Sequence, residues 1–186
     1  MSNVFFSSDL HFGHNKEFIY KARGFDSIED MNKEIIKKWN EKVARTDTVY
    51  LLGDMMLGNN EHGLDLVSQL HGKIYVIRGN HDTDTRVALY RKSIYILDVY
   101  DSLYLRKHGY HFYLTHFPCL TGNLERESLK QMTLNLHGHT HASKPFFYDL
   151  PYCYNVGVDA HNCSPVSMEE IINDMNKMVE ECKSYL

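Results

Sequence analysis

Five times along this chain an apolar run ends, a glycine or short polar turn follows, and a residue able to bind metal comes next. The positions are Asp9, Asp54, Asn80, His116 and His139. In sheet-based α/β proteins, sites collect outside the carboxyl ends of strands. A chain with this punctuation is therefore expected to bring distant loops to one place on a rigid scaffold. The motifs are SSDLH (Asp9, His11), LLGDM (Asp54), RGNHD (Asn80, His81), LTHFP (His116) and HGHTH (His139, His141).

These residue types define a chemistry. Carboxylate and amide oxygens with imidazole nitrogens suit Mn, Fe, Zn, Ni or Co better than Ca or Mg. Alternate residues of a strand share a face, so strand geometry carried through the motifs would aim Asp9 and His11 at one ion, and His139 and His141 likewise. Gly53, Gly79 and Gly138 each stand just before a motif residue and allow tight turns and close backbone approach. A carboxylate shared by two ions keeps them ~3.5–4 Å apart, and Asp54 is the natural candidate for that bridge. Singly, Asp9 and Asp54 read as turn or cap residues and Asn80 as a left-handed turn position. The ordered set is what carries the metal reading.

The rest of the chain frames the site. Its 186 residues suffice for one sizeable domain, read here as residues 1–186, with 43% apolar and 24% charged residues. A net charge of -4 disfavours a broad nucleic-acid surface, so no stable nucleic-acid partner is expected. No apolar run approaches the ~20 residues of a membrane span, and no basic leader precedes the first strand. The expected location is cytoplasmic. Cys119, Cys153, Cys163 and Cys182 form no C-x-x-C pair and are expected to be free thiols.

Periodicity predicts strands at Val4–Ser8, Thr48–Leu52, Lys73–Ile77, Ile94–Val99, Ser102–Arg106, His111–His116 and Thr133–Leu136. Phe146–Tyr148 and Tyr152–Asn155 read as a hairpin around Pro151, and Lys107–Tyr110 as a hairpin turn. Ser27 caps a helix to Val43 with Met31, Ile35, Trp39 and Val43 on one face. A short helix is expected at Leu64–Leu70. Ser167 and Glu170 form a capping box for a final helix from Met168 to about Cys182.

The series D-x-H, G-D, G-N-H, H and G-H-x-H, in this order, resembles the calcineurin-like metallophosphoesterase family. DLHFGH, Arg23-Gly24-Phe25 and WNEKV…DTVYLLGD also resemble a small, cap-less bacterial or phage subgroup of it. The resemblance implies an α/β fold, an α-β-β-α sandwich of two mixed sheets flanked by helices. It implies two divalent transition-metal ions (Mn, Fe, Zn, Ni or Co, with Mn favoured). Asp9, His11, Asp54 and His141 would hold the first, and Asp54, Asn80, His116 and His139 the second. A metal-bridging hydroxide would attack phosphorus in line, and His81 would assist the leaving oxygen. The implied function is hydrolysis of a phosphodiester or phosphomonoester, with a small phosphorylated substrate such as a nucleotide as the partner. The alternatives are a nuclease and a catalytically silent protein-binding scaffold. Arg23 and Arg78 are candidates to contact substrate phosphate, and His14 to contact phosphate or support the ligands. The protein Ser/Thr phosphatase branch carries an acidic residue and an arginine after its G-D motif. Here Met55-Met56-Leu57-Gly58 follows instead, which disfavours that activity and leaves the group orienting His81 open, Asp82 being adjacent in sequence only.

Overall fold

A computed structural model describes residues 2–126 and 128–184. The first strand, β1 (Val4–Ser7), is buried on both faces. It pairs in parallel with β2 (Thr48–Leu51), which pairs in parallel with β3 (Lys73–Ile77), and that with β4 (Ile96–Tyr100). A short antiparallel strand, β9 (Val166–Ser167), completes a sheet of order β4-β3-β2-β1-β9. The second sheet has four strands. Here β5 (Leu103–Lys107) and β6 (Tyr110–Leu114) form an antiparallel hairpin, and β7 (Thr133–His137) and β8 (Cys153–Asn155) add in parallel. Both sheets are mixed, as the resemblance implied.

Alternation along the strands builds two cores. Phe5, Val49, Leu51, Ile74 and Val76 face the helices, where Met31, Ile35 and Trp39 of α2 (Ile28–Lys42) pack against them. Val4, Phe6 and Ile77 face the other way, onto Phe112, Leu114, Leu134, Leu136 and Tyr154 of the second sheet. Ile171, Ile172 and Met175 of α5 (Met168–Ser184) enter this inter-sheet core. Each fully buried side chain of this size contributes roughly 1.5–3 kcal/mol, so the strand ends sit on a stiff base.

The local signals behave as their chemistry requires. Ser27 Oγ accepts from the Asp30 amide and starts α2. The Ser167–Glu170 capping box is reciprocal, with bonds of 2.7 and 3.1 Å. His108 and Gly109 both adopt positive φ in the β5–β6 turn, as a tight hairpin demands.

Two expectations need correction, and one helix goes beyond them. The helix placed at Leu64–Leu70 is α3 (Asn60–Val67), started earlier by the Asn59 side chain accepting from the His62 amide. A helix α4 (Asp84–Lys92) was not legible, because only Val87 and Tyr90 are buried and no apolar stripe forms. Phe147–Asp149 is a 3-10 turn, so the hairpin there shrinks to one bridge between Phe146 and Tyr154. A remaining short helix, α1 (Glu17–Tyr20), lies in the loop after β1. No helix among the described residues is long and apolar enough to cross a membrane. Cys119, Cys153 and Cys163 are free, while the side chain of Cys182 lies outside the described set.

Candidate metal centre

Each motif follows the carboxyl end of its strand: Asp9 and His11 follow β1, Asp54 β2, Asn80 and His81 β3, His116 β6, and His139 and His141 β7. The strands themselves stop short of the motifs. Asp9, His11, Asp54, His139 and His141 all have positive φ, between 49° and 68°. The expectation that strand alternation aims the paired ligands is therefore overturned; left-handed residues do it instead. Each such residue costs of order 1–3 kcal/mol and persists only where its surroundings over-determine it. Backbone bonds supply that constraint: the Asp9 amide donates to Gly53 O at 3.1 Å and the His11 amide to Asp54 O at 3.0 Å.

Close approach explains two of the glycines. A Cβ on Gly79 would stand inside the Asp54 carboxylate and 2.6 Å from the Asp54 amide nitrogen. A Cβ on Gly138 would collide with the Ser8 hydroxyl and the Asp9 carboxylate. The loops touch because these positions carry no side chain.

Protein groups then occupy one side of nearly every motif residue. Asp9 Oδ2 accepts from the His139 amide and Asp54 Oδ1 from the His81 amide, each at 2.9 Å. His116 Nδ1 lies 2.7 Å from Leu52 O, and His141 Nδ1 lies 2.9 Å from Asp159. The atoms left over converge. His11 Nε2 and His141 Nε2 face each other at 3.2 Å, and each is 3.9 Å from Asp9 Oδ1. Asn80 Oδ1 lies 2.8 Å from His116 Nε2 and 2.9 Å from His139 Nδ1. Asp54 Oδ2 stands between these sets, 3.8 Å from His11 Nε2 and 3.4 Å from His116 Nε2. Asp9, His11 and His141 form one group able to hold an ion; Asp9, Asp54 and His116 form another. Asp9 belongs to both, so the two groups are contiguous.

The donors fit a cation. Asp9 Oδ1 is buried without a hydrogen-bond partner, and such an orphaned carboxylate oxygen is costly unless something positive meets it. Ligands held by ~2.1 Å bonds to one ion stand ~3.0–3.4 Å apart, the spacing seen between His11 and His141. Asp9, His11, Asp54 and His116 form a buried floor, while Asn80, His81, His139 and His141 face solvent.

Burial and mutual charge set the protonation of the cluster. Burial pushes the Asp9 carboxyl up, and burial with the neighbouring His141 pushes His11 down to about 3. Burial would also lower His116, but the hydrogen bond it donates to the Asp54 carboxylate and the charge of Asp9 outweigh it and hold its pKa above the usual value. The Asp159 hydrogen bond raises His141.

Two carboxylates beneath the centre, Asp159 and Asp82, tie its loops together, and the sequence motifs assign no role to the first. Asp159, in the loop after β8, accepts from His141 and from two guanidinium nitrogens of Arg23 at 2.9 and 2.8 Å. A carboxylate behind a ligating imidazole fixes its tautomer and orientation. Asp82 does not orient the His81 ring. Its carboxylate accepts from the Asp54 amide, the Gly79 amide and the Tyr90 hydroxyl, and so ties the G-D turn to the G-N-H turn.

The tentative substrate contacts divide. Arg23 is turned inward with its side chain 2% exposed, and its guanidinium is committed to Asp9 O, Leu10 O and Asp159. Arg78 is committed to Asp82 O and Asp84. His14 does lie beside the centre, its ring 5.4 Å from that of His11. His137 supports the G-H-x-H turn through a 2.9 Å bond between its Nδ1 and Gly138 O.

His137 also makes ion-free stability depend on pH. Burial pushes its pKa down to about 4 from 6.5. The unfolded chain takes up this proton near pH 6.5 and the fold refuses it, so the contribution is complete above 6.5 and is lost as pH falls toward 4. The loss is about 3 kcal/mol. Urea unfolding of chelator-treated protein should show stability declining over this interval. A flat profile would contradict a neutral buried imidazole.

Relatives place this arrangement. A sequence profile described as the calcineurin-like phosphoesterase superfamily domain matches residues 3–158. An uncharacterized protein of Methanocaldococcus jannaschii is 32% identical over 189 residues, spanning 98% of this chain and 94% of the relative. The Gene 66 protein of Mycobacterium phage L5 is 28% identical over 205 residues, spanning 97% and 98%. In three dimensions, a protein of unknown function from Aquifex aeolicus superposes with a TM-score of 0.72 at 25% identity, covering 93% of this chain and 99% of that one. Motif order, strand-end placement and a profile match over most of its length agree: the chain belongs to the calcineurin-like phosphoesterase superfamily.

Proposed function

We propose that this protein is a two-cation phosphoesterase that cleaves a small phosphodiester or phosphomonoester. The observation that carries the reading is the position of Asp54 Oδ2 between two sets of converging donors, one of which contains a buried, unpartnered carboxylate oxygen. Asp9, His11, Asp54 and His141 would hold one ion, and Asp54, Asn80, His116 and His139 the other. Divalent cations held side by side supply acidified water and offset the charge of phosphoryl oxygens, and manganese suits this donor set.

The protein's own groups define the rest. The buried floor excludes water from beneath the centre, and the exposed rim leaves one open side for an ester. His81 stands on that rim, its side chain 46% exposed and its Nε2 4.0 Å from Asp54 Oδ2. Its backbone amide is anchored on Asp54 Oδ1, while its ring lies 5.6 Å from that of His11. A ring fixed at its root and open at its tip can deliver a proton to a departing oxygen. Arg86 adds to the anchoring by donating to His81 O at 2.7 Å.

Manganese-loaded protein should hydrolyse bis(p-nitrophenyl) phosphate. The His81→Ala protein should keep its metal content and lose roughly 10²–10⁴ in turnover. Loss of metal alongside activity would reassign His81 as a ligand. Absence of turnover with every one of Mn, Fe, Zn, Ni and Co would overturn the enzymatic reading.

A further inference from the structure

We infer that Phe117 and Phe18 select esters carrying a flat aromatic group, with Phe117 as the principal platform; this rests on the phosphoesterase reading above. Both phenylalanines are unusual in being large, apolar and exposed, at 50% and 70%, next to a centre built from charged and polar groups. Phe117 directly follows His116. Its ring lies edge-to-face with His139 at 4.5 Å and with His116 at 5.2 Å. Both histidines are themselves held, His116 by Leu52 O and His139 through its amide by the Asp9 carboxylate. The backbone of Phe117 is pinned as well, because Thr115 Oγ1 donates to Phe117 O at 2.7 Å. The ring is thus fixed before anything binds, and little further entropy is lost on stacking.

Phe18 marks the other donor set. It packs edge-to-face on His14 at 5.8 Å, and the His14 ring lies 5.4 Å from that of His11. Phe117 therefore adjoins one half of the centre directly, and Phe18 reaches toward the other through His14. The nearby arginines offer little further charge. Arg23 is consumed by Asp159 and two carbonyls, Arg78 by Asp84 and Asp82 O, and Arg86 by Asn60 and His81 O. A rim whose nearby arginines are occupied and whose exposed groups are aromatic fits one phosphoryl group bearing a planar ring better than a polyphosphate. The matching class is a nucleobase-bearing phosphoester.

Calorimetric titration of the manganese-loaded full chain with adenosine 5′-monophosphate and with ribose 5-phosphate isolates the ring, since the two ligands share phosphate and sugar. The nucleotide should bind roughly five- to a hundred-fold tighter. Phe117→Leu should remove most of that ratio at unchanged metal content, and Phe117→Tyr should preserve it. Phe18→Ala should reduce it by a smaller factor. A dinucleotide and a single-stranded oligonucleotide in the same series identify the source, the tighter of the two naming it. Equal affinities for the two monophosphates, or a ratio that survives Phe117→Leu, would overturn the inference while leaving the phosphoesterase reading intact. If neither phosphate binds and no ester is cleaved, the phosphoesterase reading falls as well.

Discussion

The Asp54→Asn protein is expected to lose affinity for both cations by more than ~100-fold and to show no hydrolysis above background. The reason lies in how the two Asp54 oxygens are used. Oδ1 is committed to the His81 amide, so Oδ2 alone serves the centre, reaching toward His11 and His116 at 3.8 and 3.4 Å. An asparagine keeps the acceptor for His81 and so keeps the turn. It replaces Oδ2 with an NH₂ that offers no lone pair and carries no charge. Titration with Mn²⁺ followed by elemental analysis would show both ions weakened. Weakening of one ion only would mean that Asp54 is not shared, and Asp9, which stands in both ligand groups, would take the bridging role.

Arg23→Ala is expected to destabilise the ion-free fold by about 3–5 kcal/mol, the cost of breaking a buried ion pair by removing one partner. Total stability in domains of this size is only about 5–15 kcal/mol, so much of the population would unfold under mild stress. Two losses combine. Asp159, which His141 and Arg23 together hold well below the usual carboxylate range against the opposing effect of burial, would keep only His141. The carbonyls of Asp9 and Leu10 would lose the guanidinium that fixes the left-handed turn into His11. Arg23→Lys should rescue little, because one ammonium cannot span both Asp159 oxygens and two carbonyls as a planar fork does. Urea unfolding of the chelator-treated variants reads the effect directly. A change below about 1 kcal/mol for Arg23→Ala, the range of exposed pairs, would show that the network is dispensable.

These two residues also show where sequence reading succeeds and where it stops. Asp54 was legible because its signal is local: an apolar run, Gly53, then the acid. The same local logic located the cap at Ser27 and the box at Ser167 and Glu170. Arg23 was legible as a functional residue but not as a structural one, since a guanidinium that could grip phosphate can equally grip a carboxylate 136 positions away. Asp159 was missed although it obeys the recurring rule. It follows the β8 strand end through Val156-Gly157-Val158, and a strand ending in an acid after glycine was the pattern that found Asp54. A histidine stands two places on, in Asp159-Ala160-His161, but its ring bonds Asn155 O; the histidine that Asp159 serves, His141, comes from another loop, and that pairing has no local signal. The backbone conformation at Asp9, His11, His139 and His141 was also out of reach. D-x-H and H-x-H spacing is compatible with an extended strand and with a pair of left-handed turns, and only the contacts of neighbouring loops choose between them. The aromatic rim was illegible for a related reason. Phe18 and Phe117 are ordinary core residues by composition, and exposure is a property of the assembled fold.

In the function proposed above, loops from both sheets assemble one centre for two cations. Anomalous diffraction from crystals grown with Mn²⁺, paired with elemental analysis, tests it most directly. Two ions per chain are expected, one against Asp9, His11 and His141, the other against Asn80, His116 and His139, with Asp54 contacting both. A single ion, no ion, or ions bound away from these side chains would contradict it.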